Sequence, residues 1–247
     1  MYKLILLRHG ESQWNLDNRF TGWTDVDLSQ NGINEAKKAG ILLKSEKIKF
    51  NIVYTSILKR ANNTMKICLD ELSQKDISIK YDWRLNERHY GKLQGLNKSE
   101  AAKIYGEKQI LEWRRSYDTA PPPLDDSDNR HPKFDKLYEK IDFSQLPSSE
   151  SLKDTERRFM PLWNNEISIN IKFGATIMIV AHGNSLRALI KYLDNISDKE
   201  IIRLNIPTGI PLVYELDNNL KPLKHYYLGN QKLIDAKINS VINQSKI

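Results

Sequence analysis

The stretch LILLRHGES, residues 4–12, changes from four consecutive apolar residues to a cation, an imidazole and a glycine. A short continuous apolar run predicts a strand that is buried on both faces, as in a parallel sheet. A buried strand that runs directly into charged groups usually ends at a functional site. We therefore expect Arg8 and His9 to belong to such a site.

The segment MIVAHGNSLR, residues 178–187, repeats this pattern, because an apolar run is again followed by a histidine and a glycine. In open parallel sheets, ligands bind beyond the carboxyl ends of the strands, so His9 and His182 face one crevice if their strands are neighbours. The glycine after each histidine lets the backbone approach a ligand, and the amides at the start of the helix from Ser185 favour an anion. The sequence therefore predicts a phosphate site between two imidazoles.

The rest of the chain alternates between strand and helix patterns. We predict strands over 2–7, 51–55, 77–81, 175–181, 211–216 and 223–228, and helices over 31–47, 57–73, 152–171 and 185–194. Pro161 should kink or split the helix that contains it. Residues 83–150 are predicted to form a mainly helical insertion over the sheet, and 230–247 a polar, weakly helical tail. The alternation is typical of βαβ units and predicts one α/β domain over 1–247, with three α/β/α layers and a mostly parallel central sheet.

Composition narrows the class of protein. The apolar runs fall far short of the roughly 20 residues that a membrane-spanning helix needs, and the N-terminus lacks a signal peptide, so we expect a cytoplasmic protein. The single cysteine, Cys68, lies on an apolar helical stripe and is expected to fill the core. The net charge of +7 is compatible with a nucleic-acid surface or with a pocket for a polyanionic small molecule. The absence of a recognised nucleic-acid motif favours the pocket.

Two histidines can act on a phosphate group in two ways. They can bind a metal ion, or one can be the nucleophile while the other neutralises charge on the phosphoryl oxygens. No HExxH motif and no Asp/Cys cluster lies near either histidine, so we expect no metal. Neutral His9 can attack phosphorus to form a phosphohistidine, while His182 and nearby arginines neutralise the phosphoryl oxygens. Glu87 is the candidate proton donor for the leaving oxygen, although spacing alone does not establish this role. Of the other histidines, we expect structural or surface positions for His89 and His225 and an exposed position for His131.

Seven blocks of sequence occur in a fixed order along the chain. They are LLRHGESQWN (6–15), RFTGWTDVDLS (19–29), YTSILKRA (54–61), LNERHYGKLQGLNK (85–98), EWRRSY (112–117), VAHGNSLRALIKYL (180–193) and NIPTGIPLVYEL (205–216). Together these blocks closely resemble the cofactor-dependent phosphoglycerate mutases of the histidine phosphatase superfamily. The resemblance extends from Lys3 to about Gly229 and includes the insertion, which general phosphatases of the superfamily usually lack.

The resemblance implies a phosphoglycerate mutase-like fold and the interconversion of 3-phosphoglycerate and 2-phosphoglycerate, a reaction of glycolysis and gluconeogenesis. It also implies a phosphohistidine intermediate primed by 2,3-bisphosphoglycerate, no metal, and a homo-oligomer that is a dimer or a tetramer. The positions that match the family's catalytic residues are His9, Glu87, His182, Arg8 and Arg60. Those that match its substrate-binding positions are Arg8, His9, Gly10, Glu11, Ser12, Gln13, Trp14, Asn15, Thr21, Gly22, Arg60, Glu87, Arg88, His89, Tyr90, Lys98, Arg114, Arg115, Gly183 and Asn184.

Two alternatives remain open. A bisphosphoglycerate synthase or phosphatase, or a general phosphomonoesterase, would share His9, His182 and Arg60 on the same scaffold. A non-catalytic binder of phosphorylated ligands or of nucleic acid would show the same basic charge without turnover. A mutase must also keep water from its phosphohistidine, and the insertion and the tail are the candidates for this gate. Removing residues 230–247 is then expected to weaken mutase turnover more than phosphohistidine formation.

Overall fold

The computed structural model describes residues 1–74 and 76–243. The strands are β1 (Tyr2–Arg8), β2 (Ile52–Thr55), β3 (Ser78–Tyr81), β4 (Ile177–Ala181), β5 (Leu212–Leu216) and β6 (Pro222–Tyr227). They form a six-stranded sheet of order β3-β2-β4-β1-β5-β6. Strands β1 to β4 run parallel to one another, whereas β5 and β6 are antiparallel to their neighbours. The mostly parallel sheet predicted from the sequence is confirmed, with small shifts at the strand ends.

The main helices form two layers, one on each face of this sheet. The helices are α1 (Gln13–Leu16), α2 (Gln30–Ser45), α3 (Lys59–Leu72), α4 (Lys98–Tyr105), α5 (Glu107–Arg115), α6 (Leu152–Leu162), α7 (Ser168–Lys172), α8 (Gly183–Leu193) and α9 (Gln231–Asn243). On one face, Leu43 of α2 and Met65 of α3 pack with Val53 of β2. On the other face, Phe159 of α6 and Leu189 of α8 belong to a second apolar core. The three α/β/α layers are therefore present as predicted.

Strands β1 and β4 lie side by side and end together. Arg8 pairs with Ala181 in the parallel register, and all of β4 is buried. The amide of His9 still donates to the carbonyl of Ala181, at 3.0 Å. Because parallel neighbours deliver the residues that follow them to the same edge of the sheet, His9 and His182 emerge together. The condition on which the predicted phosphate site depended is met.

Helix α6 does not continue regularly past its proline. Pro161 lies inside α6, and a π-helical segment, Trp163–Ile167, separates α6 from α7. Proline lacks a backbone donor and clashes with the preceding turn, so the helix must adjust around it. The disruption that the sequence predicts is confirmed, and it takes the form of one wide turn.

Predictions for two single side chains have opposite outcomes. Cys68 is fully buried and burial raises the pKa of its thiol to about 12, so it is an unreactive part of the core, as predicted. The prediction that His131 is exposed is wrong, since its side chain is buried. Its ring lies against Phe143, with centroids 5.7 Å apart, and Nδ1 accepts a hydrogen bond from the amide of Lys133. The histidine caps a tight turn of the insertion and is covered by the loop that follows.

The insertion and the tail both reach the edge where β1 and β4 end. The insertion brings Lys98, Arg114 and Arg115 on α4 and α5, and the tail brings Val241 on α9, to the same cavity as His9. The last part of the predicted tail, 244–247, lies outside the described residues. Among the helices that are described, none is both long and apolar enough to cross a membrane.

Candidate active site

His9 lines the floor of a cavity at the ends of β1 and β4, and the ring of His182 lies against it. The ring centroids of His9 and His182 are 5.0 Å apart, with the ring planes inclined by 59°. Both side chains are almost fully buried. The carbonyl of Arg8 accepts a hydrogen bond from the amide of Gly209, which fixes the end of β1 from the side opposite to β4. Main-chain bonds on both sides therefore fix the backbone from which His9 extends.

The hydrogen bond of His9 determines which ring nitrogen can react. Its Nδ1 lies 2.7 Å from the carbonyl oxygen of Gly10, and a carbonyl can only accept, so Nδ1 carries the proton. The lone pair of the neutral ring is then on Nε2. Burial, followed by the charges of Arg60 and Arg8, lowers the pKa of His9 well below 6.5. At neutral pH, His9 is an uncharged imidazole with a nucleophilic Nε2.

His182 is held by the opposite nitrogen. Its Nε2 lies 2.7 Å from the hydroxyl oxygen of Ser56, which also accepts a hydrogen bond from the amide of Leu58. We assign the hydroxyl proton of Ser56 to the bond with Nε2, which leaves the proton of the neutral ring on Nδ1. Nδ1 is buried and has no hydrogen-bond partner among the described residues. Burial and the charge of Arg60 lower the pKa of His182 well below 6.5, so the ring acts as a neutral N–H donor.

The guanidinium groups near His9 are oriented by main-chain carbonyls. Arg8 donates to the carbonyl of Ile206 at 2.7 Å, and Arg60 donates to that of Gly22 at 2.8 Å. A carbonyl has no net charge, so these bonds leave the positive charges available to a ligand. Burial lowers the pKa of Arg60 to about 10, a value at which the side chain is still cationic at neutral pH. This end of the cavity is built to receive an anion such as a phosphoryl group.

Glu87 borders the same space through one carboxylate oxygen. Its Oε1 accepts hydrogen bonds from the amides of Arg88, at 2.8 Å, and Asn184, at 3.1 Å. The second of these amides lies in the first turn of α8, where the helix dipole favours an anion. A Cβ placed on Gly183 would lie 3.6 Å from Oε2 of Glu87 and 3.5 Å from Nε of Arg8. The absence of a side chain at Gly183 therefore keeps the space between the carboxylate and the guanidinium open.

The cavity contains most of the residues predicted to bind the substrate. Those that line it are Arg8, His9, Asn15, Thr21, Gly22, Arg60, Glu87, Tyr90, Lys98, Arg114, Arg115, Gly183 and Asn184. Burial and the neighbouring charge of Arg114 lower the pKa of Lys98, which shows how densely the cations are packed at this end. Such a concentration of positive charge favours a ligand with more than one anionic group.

The other predicted residues do not line this cavity. These are Gly10, Glu11, Ser12, Gln13, Trp14, Arg88, His89 and His182. Arg88 is fully buried and donates to the carbonyl of Arg114 at 2.8 Å, so it connects the loop of Glu87 to α5. His89 accepts from the amide of Gly91 through Nδ1, and burial lowers its pKa to about 3. Arg88 and His89 therefore hold the loop of Glu87 from outside the cavity.

The sequence prediction omitted five lining residues, which are Arg19, Phe20, Arg187, Ile206 and Val241. Arg187 follows the His-Gly pair of β4 and lies on α8, and its guanidinium donates to the carbonyls of Arg115 and Ile201. A signal was present for Arg187, since it stands in the same sequence block as His182. Val241 had no such signal, because an apolar residue in a polar tail carries no chemical pattern.

Helix α9 closes the cavity from the C-terminal side. Arg115 donates to the carbonyl of Val241 at 3.3 Å. One turn earlier, Lys237 forms a 2.5 Å ion pair with Oε1 of Glu35 and donates to the carbonyl of Thr208 at 3.1 Å. The side chain of Glu35 is almost fully buried, whereas that of Lys237 is 34% exposed. The tail is thus fixed to α2 on one side and to α5 on the other.

Comparisons with known proteins agree with this geometry. The profile of the histidine phosphatase superfamily (branch 1) matches residues 4–227. The 2,3-bisphosphoglycerate-dependent phosphoglycerate mutases of Borrelia garinii subsp. bavariensis and of Borreliella afzelii are each 58% identical over 247 residues, which is 100% of this chain and of theirs. The solved structure of mycobacterial glucosyl-3-phosphoglycerate phosphatase has the same fold, with a TM-score of 0.70, 20% identity, and coverage of 92% of this chain and 97% of that one.

These matches span almost all of the described fold, and they include the strand ends, the insertion and the tail. The matches to the two mutases extend over the full length of this chain and of theirs. The chain therefore belongs to branch 1 of the histidine phosphatase superfamily and, within it, to the family of the 2,3-bisphosphoglycerate-dependent phosphoglycerate mutases.

Proposed function

We propose that this protein interconverts 3-phosphoglycerate and 2-phosphoglycerate through a phosphohistidine at His9 that is primed by 2,3-bisphosphoglycerate. The observation that carries the proposal is the pairing of a neutral His9, with Nδ1 tied to Gly10, and a cavity lined by cations on two sides. The 58% identity to the two mutases over the full chain supports the choice of phosphoglycerates as substrates. A cytoplasmic location and a homo-oligomeric state, dimer or tetramer, remain predictions.

The transfer to the enzyme begins at His9. Nε2 attacks phosphorus of 2,3-bisphosphoglycerate, the N–P bond forms and the bond from phosphorus to the substrate oxygen breaks. Glu87 gives its proton to the departing oxygen, which leaves as a hydroxyl group. Arg8 and Arg60 face the phosphoryl oxygens, and Nδ1–H of His182 supplies a hydrogen bond that needs no proton transfer.

The transfer to the substrate reverses these steps. The free hydroxyl of 3-phosphoglycerate attacks phosphorus of phospho-His9, Glu87 accepts the hydroxyl proton, and the N–P bond breaks. The product is 2,3-bisphosphoglycerate, which must turn so that its other phosphate faces His9. The cations of the insertion, Lys98, Arg114 and Arg115, hold the carboxylate and the distal phosphate in either orientation.

The closing helix favours a mutase over a phosphatase. Water that reached phospho-His9 would release inorganic phosphate and end the cycle. Val241 on α9 lines the cavity and is held there through Arg115, so the reorienting intermediate is shielded. All of the charge stabilisation comes from the side chains of the chain itself, and we therefore propose that the reaction needs no metal.

The test is a ³¹P NMR time course with 3-phosphoglycerate, EDTA and a trace of 2,3-bisphosphoglycerate. We expect a 2-phosphoglycerate signal that survives EDTA and is absent with His9→Ala. The matched control is His225→Ala, a surface histidine that pairs with Asp194 outside the cavity, which should behave as wild type. Inorganic phosphate as the main product would replace the mutase by a phosphatase, and no change of any substrate would indicate a binding protein.

A further inference from the structure

Arg158 is a buried arginine that lies outside the catalytic cavity. It stands on α6, its side chain is 6% exposed, and it does not line the cavity. It forms a fork with Glu150, with Nε at 2.7 Å from Oε1 and Nη2 at 3.0 Å from Oε2. Its guanidinium also lies over the ring of Trp23, 5.3 Å from the centroid. A buried cation usually has several specific hydrogen-bond or ion-pair partners.

The other partners of Arg158 are main-chain carbonyls of the segment that carries Glu87. Nη1 of Arg158 donates to the carbonyl of Arg84 at 2.8 Å and to that of Trp83 at 3.2 Å. Nη2 donates to the carbonyls of Asn86 and Glu87, each at 3.2 Å. One guanidinium therefore donates hydrogen bonds to most of the carbonyls in residues 83–87, the turn that ends at the catalytic Glu87.

Two further bonds hold the same turn. The indole N–H of Trp23 donates to the carbonyl of Glu87 at 2.5 Å. Oε2 of Glu150 accepts from the amide of His89 at 2.9 Å, so the partner of Arg158 fixes the far side of Glu87. The backbone of Glu87 is thus held between donors on one side and an acceptor on the other.

We infer that Arg158 is a positioning residue that sets the place of the Glu87 carboxylate relative to the substrate oxygen. The carboxylate has its own two bonds, to the amides of Arg88 and Asn184, and both use Oε1. Those bonds keep their geometry only if the backbone at Glu87 stays where the guanidinium holds it. A displacement of about 1 Å at a reacting group can cost on the order of 10²-fold in rate.

The geometry also explains why this position is an arginine. Only a guanidinium offers five N–H donors in a rigid fork, which a carboxylate and several converging carbonyls can share. A lysine ammonium has only three N–H donors, and they do not lie in one plane. A buried ion pair such as that of Arg158 and Glu150 is in general a weak source of stability, because both groups lose their hydration. The contacts of the fork are better explained by the precision they give to Glu87.

The inference rests on the proposed role of Glu87 as the proton donor, and the test uses that chemistry. Arg158→Gln and Arg158→Lys are compared with Arg157→Gln, the adjacent arginine, whose side chain is 83% exposed. For 3-phosphoglycerate we expect Arg158→Gln to lower kcat about 10²-fold with KM changed less than about threefold. Arg158→Lys should recover part of the loss, and Arg157→Gln should match wild type.

A second phosphoryl donor separates positioning from general damage. p-Nitrophenyl phosphate releases a stable anion that needs no proton, so phosphorylation of His9 by this donor should change less than about threefold in Arg158→Gln. Equal losses with both donors, or an unchanged kcat with a lower Tm alone, would overturn the inference. If wild type releases inorganic phosphate from 3-phosphoglycerate instead of isomerising it, the proposed function fails, and the ratio of rates for the two donors still tests Arg158.

A milder variant covers the case in which Arg158→Gln does not fold. Trp23→Phe keeps an aromatic ring under the guanidinium and removes the N–H that donates to the carbonyl of Glu87, together with part of the ring surface that stacks on Tyr138. We expect a loss of about tenfold in kcat for 3-phosphoglycerate and none with p-nitrophenyl phosphate. A Trp23→Phe enzyme with wild-type kcat would contradict the view that bonds at this carbonyl position Glu87.

Discussion

The ends of β1 and β4 look alike in sequence and act differently in the structure. Each strand is followed by a histidine and a glycine, and both rings are buried and neutral. His9 is held through Nδ1 by the carbonyl of Gly10 and so presents Nε2, whereas His182 is held through Nε2 by Ser56 and so presents Nδ1. One ring is therefore prepared to attack and the other to donate a hydrogen bond.

The two glycines differ in the same way. A Cβ on Gly10 would lie 2.3 Å from the carbonyl oxygen of Gly32, so this glycine lets α2 approach the end of β1. A Cβ on Gly183 would meet its nearest neighbours at 3.5 Å or more, and it would occupy the space between Arg8 and Glu87. The comparison teaches that a repeated pattern marks the location of a site, while the contacts around each copy decide its role.

The largest expected effect comes from exchanging the two histidines for amides. His9→Asn and His9→Gln should both lose at least about 10⁴-fold in turnover, because neither amide can replace the covalent route. His182→Asn places an amide near the position of Nδ1 and should retain more activity than His182→Gln, with losses of about 10-fold and about 10²-fold. Rapid-quench measurement of phosphoenzyme formation from 2,3-bisphosphoglycerate gives these rates. A His182→Gln enzyme faster than His182→Asn would reverse our assignment of the free nitrogen.

The glycines provide the next test, since the same substitution should have different consequences. Gly10→Ala forces a methyl group against backbone and should lower the free energy of unfolding by about 3 kcal/mol or more. Gly183→Ala should fold with near-normal stability and lose about 10- to 10²-fold in kcat, because the methyl group occupies space between Arg8 and Glu87 in which the substrate must align. Urea unfolding and turnover assays separate the two effects. Similar stability losses in both variants would show that both glycines are needed for close packing of the backbone.

Helix α9 provides a test on the opposite side of the cavity from the two histidines. Truncation after Gly229, which removes residues 230–247, should lower mutase turnover by about 10-fold or more, while phosphohistidine formation changes less than about threefold, because water then reaches the phosphoenzyme. Lys237→Met should have a smaller effect in the same direction, since it breaks the bonds of one side chain to Glu35 and to the carbonyl of Thr208 and leaves the helix in place. Lys232→Met, at an exposed position of α9, is the matched control. Equal losses in the two assays would argue against a gate.

Ser56 tests how His182 is held. Ser56→Ala removes the bond to Nε2 and lets the ring place its proton on either nitrogen, so we expect turnover to fall about 10-fold. Ser45→Ala, an exposed serine at the end of α2, serves as the control. ¹⁵N NMR of the imidazoles reports the tautomer directly. A ring of His182 that stays protonated on Nδ1 in Ser56→Ala would show that the hydroxyl is not what selects it.

The smallest expected effect is a change in the pH dependence of the free energy of unfolding. The pKa values of His9 and His182 are well below 6.5 in the folded state, and that of His89 is about 3. Below pH 6.5 the unfolded chain binds protons that the folded protein does not, so stability must fall as pH falls, by up to about 1.4 kcal/mol per pH unit for each histidine. His89→Gln should therefore reduce the loss between pH 6.5 and 5.5 by about 1 kcal/mol. Denaturant titrations at both pH values measure it, and an unchanged difference would exclude His89 from the linkage.

The parts of the site that follow strands were predictable because the relevant signals are local. Two apolar runs, each ending in a histidine, indicated a shared sheet edge, and the parallel pairing of β1 and β4 confirms it. The arginines of the insertion were placed by resemblance to a family, not by any local rule. Arg158 and Val241 were not predicted, because one is a charged residue on an amphipathic helix and the other an apolar residue in a tail. Their roles depend on partners that are distant in sequence.

The amino-acid sequence by itself determined the α/β layers and the edge of the sheet at which the site lies, which follow from periodicity and short motifs. Most of the lining residues were supplied by the resemblance of its sequence blocks to a known family. Only the tertiary structure decided which nitrogen each histidine presents, why each glycine is needed, and which arginine holds the turn of Glu87. Those features depend on single hydrogen bonds and close contacts between residues far apart in the chain, and such contacts have direction and distance that a sequence pattern does not carry.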